Sequence, residues 1–169
     1  MINDMTKGNP GRLILFFSMP ILLGNIFQQL YTMVDTIIVG KAIGTEALAA
    51  VGLTGAPTFL ILGFVTGVTG GFAVIVAQCF GAKDEKGVRE SVANSVVLSV
   101  VITVLLTIFA IVTTKPLLDF MNTPANVYQD AYTYIMIIYI GIACNMLYNM
   151  VACIIRALGD SKTPLYFLA

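Results

Sequence analysis

Residues 13–39 read LILFFSMPILLGNIFQQLYTMVDTIIV, a run in which Asp35 is the single charge. A helix rises about 1.5 Å per residue, so about 20 apolar residues cross the roughly 30 Å hydrocarbon core of a bilayer. This run is long enough with residues to spare. Lipid offers the backbone no hydrogen-bond partner, so such a segment crosses as a helix that satisfies its own amides and carbonyls. The first span is therefore placed at 13–39. The same criterion, applied outward, predicts spans at 57–80, 88–113 and 131–155, with an amphipathic lead-in over 45–54. Residues 164–169 read as the start of a fifth apolar helix, too short to cross, so the sequence is expected to be the front part of a longer protein. The fold class is all-α integral membrane, with 1–169 forming one unit.

Composition points the same way. The chain of 169 residues is 58% hydrophobic and 11% charged, against about 45–50% and about 25% in soluble domains. Its net charge is zero, which gives no ground for a nucleic-acid partner. Cys79, Cys144 and Cys153 lie in apolar runs without metal-ligand spacing, and the chain has no histidine. They read as small buried hydrophobes, with no metal site and no cofactor. No nucleophile–base pair appears. Gly67-Val68-Thr69-Gly70-Gly71 sits inside a span and follows no strand, so neither a nucleotide site nor an enzyme is indicated. The first apolar stretch is too long for a cleaved signal and ends in no small-residue cleavage site.

The connections carry the expected punctuation. Gly40, Gly44, Gly81 and Gly87 fall just outside spans, Pro116 is expected to follow the end of the third, and Asn122-Thr123-Pro124 precede the fourth. Thr45 is expected to cap the lead-in helix, with Glu46 in its first turn. Lys83-Asp84-Glu85-Lys86 reads as a solvated turn. Arg156 to Pro164 reads as a helix end with a glycine stop, a charged turn and a proline opening the next helix.

Basic residues give an orientation. Lys7, Arg12, Lys83, Lys86, Arg89, Arg156 and Lys162 fall on one side of the predicted spans, and only Lys41 and Lys115 on the other. Positively charged loops stay cytoplasmic, which places the N-terminus inside a multi-pass protein of the cell (inner) membrane.

The first span also carries a polar stripe. Ser18, Asn25, Gln28, Gln29, Thr32, Asp35 and Thr36 fall within an arc of about 120° at 100° per residue. Unpartnered polar groups are costly in lipid, so the stripe is expected to face other helices or a wet cavity. Pro20 lies off the stripe and predicts a local bend. Asp35 is the lone carboxylate in the interior of any predicted span, Glu90 lying at the entry of the third. Such an acid reads as a proton or cation site or as the counter-ion of a cationic ligand; the plainer reading has it reach the headgroups. In the fourth span Asn145, Tyr148 and Asn149 share a face with Tyr134, as a cavity lining or as a hydrogen-bonded network between helices. Gly63, Gly67 and Gly71, with Gly70 beside them, predict close helix approach. Ser91, Ser95, Ser99, Thr103 and Thr107 predict a packing ridge.

At these residues the sequence resembles the multidrug and toxic compound extrusion (MATE) family. The resemblance is carried by Pro20, by Asn25-Ile26-Phe27-Gln28-Gln29-Leu30-Tyr31-Thr32-Met33-Val34-Asp35 and its continuation to Gly40, and by Glu46-Ala47-Leu48-Ala49-Ala50-Val51-Gly52. Ala77-Gln78, Gly81-Ala82 and the turn from Arg156 to Pro164 complete it. It implies a secondary antiporter of twelve helices in two lobes, exporting cationic or amphipathic organic compounds against protons or sodium. This chain is then the N-terminal part of the first lobe, in the bilayer beside the remaining lobe. Asp35 matches the family's first-helix acid, implicated in coupling. Gln28 and Tyr31 match polar residues around it, and Asn149 matches a fourth-helix asparagine of the lobe cavity. With the stripe residues Asn25, Gln29 and Thr32, and with Asn145, they form the expected cavity lining. A lipid-linked sugar flippase of the wider superfamily is expected to line its cavity with several basic residues, whereas the span interiors contain none. A helical fragment that packs against a partner without transporting is the other reading, and four helices alone are not expected to transport.

Overall fold

The computed structural model describes residues 10–42 and 44–166, and all the regular structure among them is helical. Three long helices come first: α1 (Pro10–Ala42), α2 (Thr45–Gly81) and α3 (Glu85–Phe120). Two shorter ones, α4 (Ala125–Ile140) and α5 (Ile142–Ala157), are followed by the turn α6 (Thr163–Tyr166). Each of the first three is long and apolar enough to cross a membrane, and α4 with α5 qualifies as a bent pair. The short connections run successive spans antiparallel. The start of α1, the α2–α3 loop and the end of α5 therefore share one end of the bundle. Of the expected fifth helix, the structure describes the α6 turn, and residues 167–169 lie outside the described residues.

Several boundaries differ from the sequence reading, each for a local reason. The lead-in is no separate helix, because α2 continues through Pro57. Thr45 is its first helical residue and does not cap it. Gly44 occupies the cap, with φ 119°, and its carbonyl accepts from Leu48 N at 3.2 Å. That backbone region is open to glycine and strained for other residues. Pro116 does not end α3, which runs four residues further. The last turn holds because Leu118 is fully buried and its carbonyl accepts from both Thr123 N and Thr123 Oγ1. The α2–α3 turn is more ordered than a solvated loop. Asp84 caps α3 by accepting from Gly87 N at 2.9 Å.

The fourth span is broken. Its halves meet at Gly141 with a bend of 44°. Gly141 N still donates to Ile137 O, and Asn145 N to Gly141 O, both at 3.1 Å. A Cβ at this position would lie 3.2 Å from Ile138 O, so a glycine permits the pinch that bends the span. At Pro20, by contrast, α1 continues as one helix.

The core is built by α2, α3, α4 and α5. Ile61, Val65, Ala110, Ile135, Tyr139, Ile142 and Met146 form its centre, and Ala50, Leu118, Val127 and Ala131 a second cluster nearer the α4 start. Within a bilayer such packing gains from close contact rather than from leaving water. Three buried hydroxyls are satisfied locally: Thr54, Thr69 and Thr114 each donate to the carbonyl four residues back, at 2.7–2.9 Å. The Thr58 hydroxyl on α2 is buried with no partner among the described residues. The ridge on α3 packs as its spacing implies. Ser95 and Ser99 are buried, and Ser99 Oγ reaches Met150 Sδ of α5 at 3.2 Å.

The glycine row on α2 does not. A Cβ at Gly63, Gly67, Gly70 or Gly71 would meet nothing within 4 Å. The packed face of α2 is instead Ala50, Thr54, Ile61, Val65, Thr69 and Val76, and Gly63 and Gly70 project about half a turn away from it.

Candidate functional site

Helix α1 contributes no residue to either core cluster. It lies along α2 and touches α6, with Leu48 of α2 against Gly40 at one end. Towards the other end, α1 and α5 diverge around a cavity of about 300 Å³. Its walls are Pro20, Ile21, Gly24, Asn25 and Gln28 from α1, Leu62 and Thr66 from α2, and Asn145, Tyr148, Asn149 and Arg156 from α5. Ser161 and Pro164, from the turn into α6, close it.

Four expected lining residues, Asn25, Gln28, Asn145 and Asn149, are thus brought together from two helices far apart in sequence. Asn149 Nδ2 donates to Asn145 O and to Asn145 Oδ1, both at 2.9 Å. Of the two readings left open by the spacing the α5 amides follow the first: they line the cavity, and their bond to one another runs along one helix rather than between two. Tyr134, though in register with them, does not reach the wall.

The rest of the α1 stripe stands elsewhere. Gln29, Tyr31, Thr32 and Asp35 are exposed and lie outside the cavity. Thr32 Oγ1 donates to Gln28 O at 3.0 Å and Thr36 Oγ1 to Thr32 O at 2.8 Å, while Ser18 Oγ donates to Leu15 O at 3.1 Å. These hydroxyls are satisfied by their own helix, so the stripe needs fewer outside partners than its composition suggests. Asp35 has no hydrogen bond or ion pair among the described residues. It lies seven residues beyond Gln28, on the same face and about 10 Å further along the axis.

Arg156 is the main departure from the sequence reading, which assigned it to a charged turn whose basic residues orient the chain and could attract anionic lipid, and not to the cavity. It is half-buried and lines the cavity. The signal was present in the spacing: Asn145, Asn149 and Arg156 are separated by four and seven residues and so share one helical face. Leu62 and Thr66 are one turn apart on α2, but nothing in the sequence distinguishes them from neighbouring positions. Among the described residues no group of three His, Cys, Asp or Glu side chains could hold a metal. The cavity chemistry is that of amides, hydroxyls and one guanidinium.

Comparison with known proteins gives concordant results. Residues 20–169 match the family model MatE. Over 166 residues the chain is 34% identical to the probable multidrug resistance protein YpnP of Bacillus subtilis (strain 168), covering 98% of this chain and 37% of that relative. It is 30% identical to the probable multidrug resistance protein YoeA of the same organism, covering 96% and 35%. Among solved structures, a MOP superfamily transporter from Pyrococcus furiosus superposes with a TM-score of 0.90 at 27% identity, over 98% of this chain and 36% of that one. The chain spans little more than a third of the length of these proteins.

Proposed function

The chain belongs to the MatE family, and on that premise we propose that it forms part of a secondary antiporter, one that exports cationic or amphipathic organic compounds in exchange for protons or sodium. The observation that carries the proposal is the cavity between α1 and α5, where Asn25 and Gln28 face Asn145 and Asn149. Its position beside the acid-bearing face of α1 supports a linked pair of sites. Amides accept and donate, so they hold varied polar groups without demanding one charge pattern. Asp35 supplies the single negative charge in the interior of the predicted spans. A proton or sodium ion on that carboxylate removes the attraction for a cationic compound, and its departure restores it. Occupation by ion and by cargo thereby exclude one another, which is the condition for exchange.

Alternating access in such transporters comes from two halves that rock about a midplane site. In this reading the chain supplies part of one half, oriented with its N-terminus in the cytoplasm, as the seven-to-two distribution of basic residues favours. The test is dye efflux from vesicles holding a complete transporter that carries this chain, driven in separate experiments by a pH gradient and by a sodium gradient. Asp35→Asn is expected to abolish gradient-driven efflux while membrane expression stays near normal. Undiminished efflux would return Asp35 to a headgroup-facing residue without a coupling role.

A further inference from the structure

Arg156 stands at the end of the cavity nearest α6, and no carboxylate pairs with it among the described residues. A guanidinium has five N–H donors. Nε is donated to Ala152 O at 3.1 Å, which draws the side chain back along α5 towards Asn149. No other acceptor and no carboxylate meets the guanidinium among the described residues. The acid closest in sequence, Asp160, is turned to another task. Its Oδ1 accepts from Lys162 N at 3.0 Å and Thr163 N at 3.1 Å, and its Oδ2 from Thr163 Oγ1 at 2.7 Å. Among the described residues the cavity wall contains no Asp or Glu. Its other polar walls include the hydroxyls of Ser161 and Tyr148, while the Thr66 hydroxyl donates to Leu62 O and the Asn149 amide donates to Asn145.

A half-buried charge without a partner is unfavourable, and an arriving anion relieves it. Guanidinium matches the paired oxygens of a phosphate in geometry as well as charge. The location narrows the source. Arg156 lies at the end of the bundle that also carries Arg12, Lys83, Lys86, Arg89 and Lys162 beside Asp84, Glu85, Glu90 and Asp160, with Lys86 paired to Glu90 at 3.8 Å. The remaining basic excess attracts anionic phospholipid. We infer that the Arg156 end of the cavity is an anion subsite for a phosphate group, supplied by an anionic lipid headgroup or by a free phosphate.

The subsite shares its cavity with the export reading and completes it electrostatically. An uncompensated guanidinium repels a cationic cargo, whereas a bound phosphate leaves the amide-lined part free to accept one. Anion binding is measured without any transport, so its failure and the failure of the export reading are separate results.

The experiment uses the purified chain in a neutral detergent and measures the Kd of three probes by calorimetry: short-chain phosphatidylglycerol, inorganic phosphate and short-chain phosphatidylcholine. Phosphatidylglycerol is expected to bind at least about tenfold more tightly than phosphatidylcholine. Arg156→Gln is expected to weaken it by about tenfold or more, and Lys162→Gln, an exposed charge removed at the same end, by less than about twofold. Inorganic phosphate binding with the same Arg156 dependence identifies a free-anion site, and binding by the lipid alone identifies the headgroup; both sustain the subsite. Equal affinity for the two lipids without Arg156-dependent binding of inorganic phosphate, or equal losses in Arg156→Gln and Lys162→Gln, overturns it. Should Arg156→Gln fail to give the helical circular dichroism of the parent, Arg156→Lys takes its place. That variant keeps the charge and loses the paired geometry, so it is expected to weaken phosphatidylglycerol binding by about threefold or more; unchanged affinity overturns the subsite.

Discussion

Helices α1 and α2 are similar in apolar length and opposite in what they do with it. Of the most apolar stretch of α2, 22% is buried within the chain, against 6% for α1. Helix α2 is packed by α3, α4 and α5, and its buried Thr54 and Thr69 hydroxyls close onto its own backbone. Helix α1 rests on α2 and carries the amides and the acid. Hydropathy ranks both as spans because it measures whether a helix can enter lipid. It says nothing of which helix will be locked in place. The two properties separate here: the locked helix is chemically plain, and the chemically rich helix borders the cavity.

The sharpest way to break this contrast is to make one substitution on both helices. Ile61 on α2 is 4% exposed and Ile26 on α1 is 55% exposed. Ile61→Ala removes buried contacts at the centre of the core and is expected to destabilise the chain by about 2–5 kcal/mol. Ile26→Ala is expected to stay within about 0.5 kcal/mol. Denaturant unfolding in detergent, followed by circular dichroism, reads both. Similar losses would mean that α1 is held as firmly as α2, and that the cavity is a rigid feature of the bundle.

How far the sequence reveals this arrangement depends on the kind of signal. Membrane crossing is written in composition, so the three long apolar helices, and the bent α4–α5 pair as a fourth candidate, were legible from residue order alone. Face assignment was legible where polar residues mark it, as with Asn25 and Gln28 opposite Asn145 and Asn149. It failed where small size was the only cue. Glycine permits close approach without requiring it, and the Gly63–Gly67–Gly71 row faces open space, while the serine ridge of α3 is buried. Breaks were legible only by type. The sequence marks Pro20 as the place for a bend, yet the described break falls at Gly141, where the constraint is a neighbouring carbonyl that no sequence pattern displays. Arg156 shows the converse limit, since its spacing placed it on the amide face while its charge suggested a turn.

The glycines offer a second, smaller test of the same contrast between packed and open faces. A Cβ at Gly87 would overlap the Asp84 carboxylate and lie 3.1 Å from Cys79 Sγ. Gly87→Ala therefore disturbs the cap of α3 and is expected to cost about 1–2 kcal/mol. Gly67→Ala adds a methyl group where nothing lies within 4 Å, and in the isolated chain it is expected to gain about 0.5–1 kcal/mol through the helix preference of alanine. The same unfolding measurement distinguishes them by sign. A loss at Gly67 would show that the open face of α2 is occupied, by α1 or by a second copy of the chain.

The smallest expected effect concerns the turn that links α5 to α6, and through α6 touches α1. Hydrogen bonds from Thr163, and then from Lys162 N, hold the Asp160 carboxyl down from its ordinary 3.8 to about 2. A depressed carboxyl contributes stability that is fully present above the unfolded value and lost as pH falls through the folded one. The turn is therefore expected to stay ordered down to about pH 4 and to loosen progressively towards pH 2. Because Asp160 is largely solvated, the change is local and leaves the α2 core folded. Hydrogen exchange at the Lys162 and Thr163 amides, corrected for the intrinsic pH dependence, reads it directly, and Asp160→Asn is expected to remove the acid transition. If protection at these amides is the same at pH 5 and pH 2, the α1–α6 edge does not depend on that carboxylate, and α1 is held on this side by packing alone.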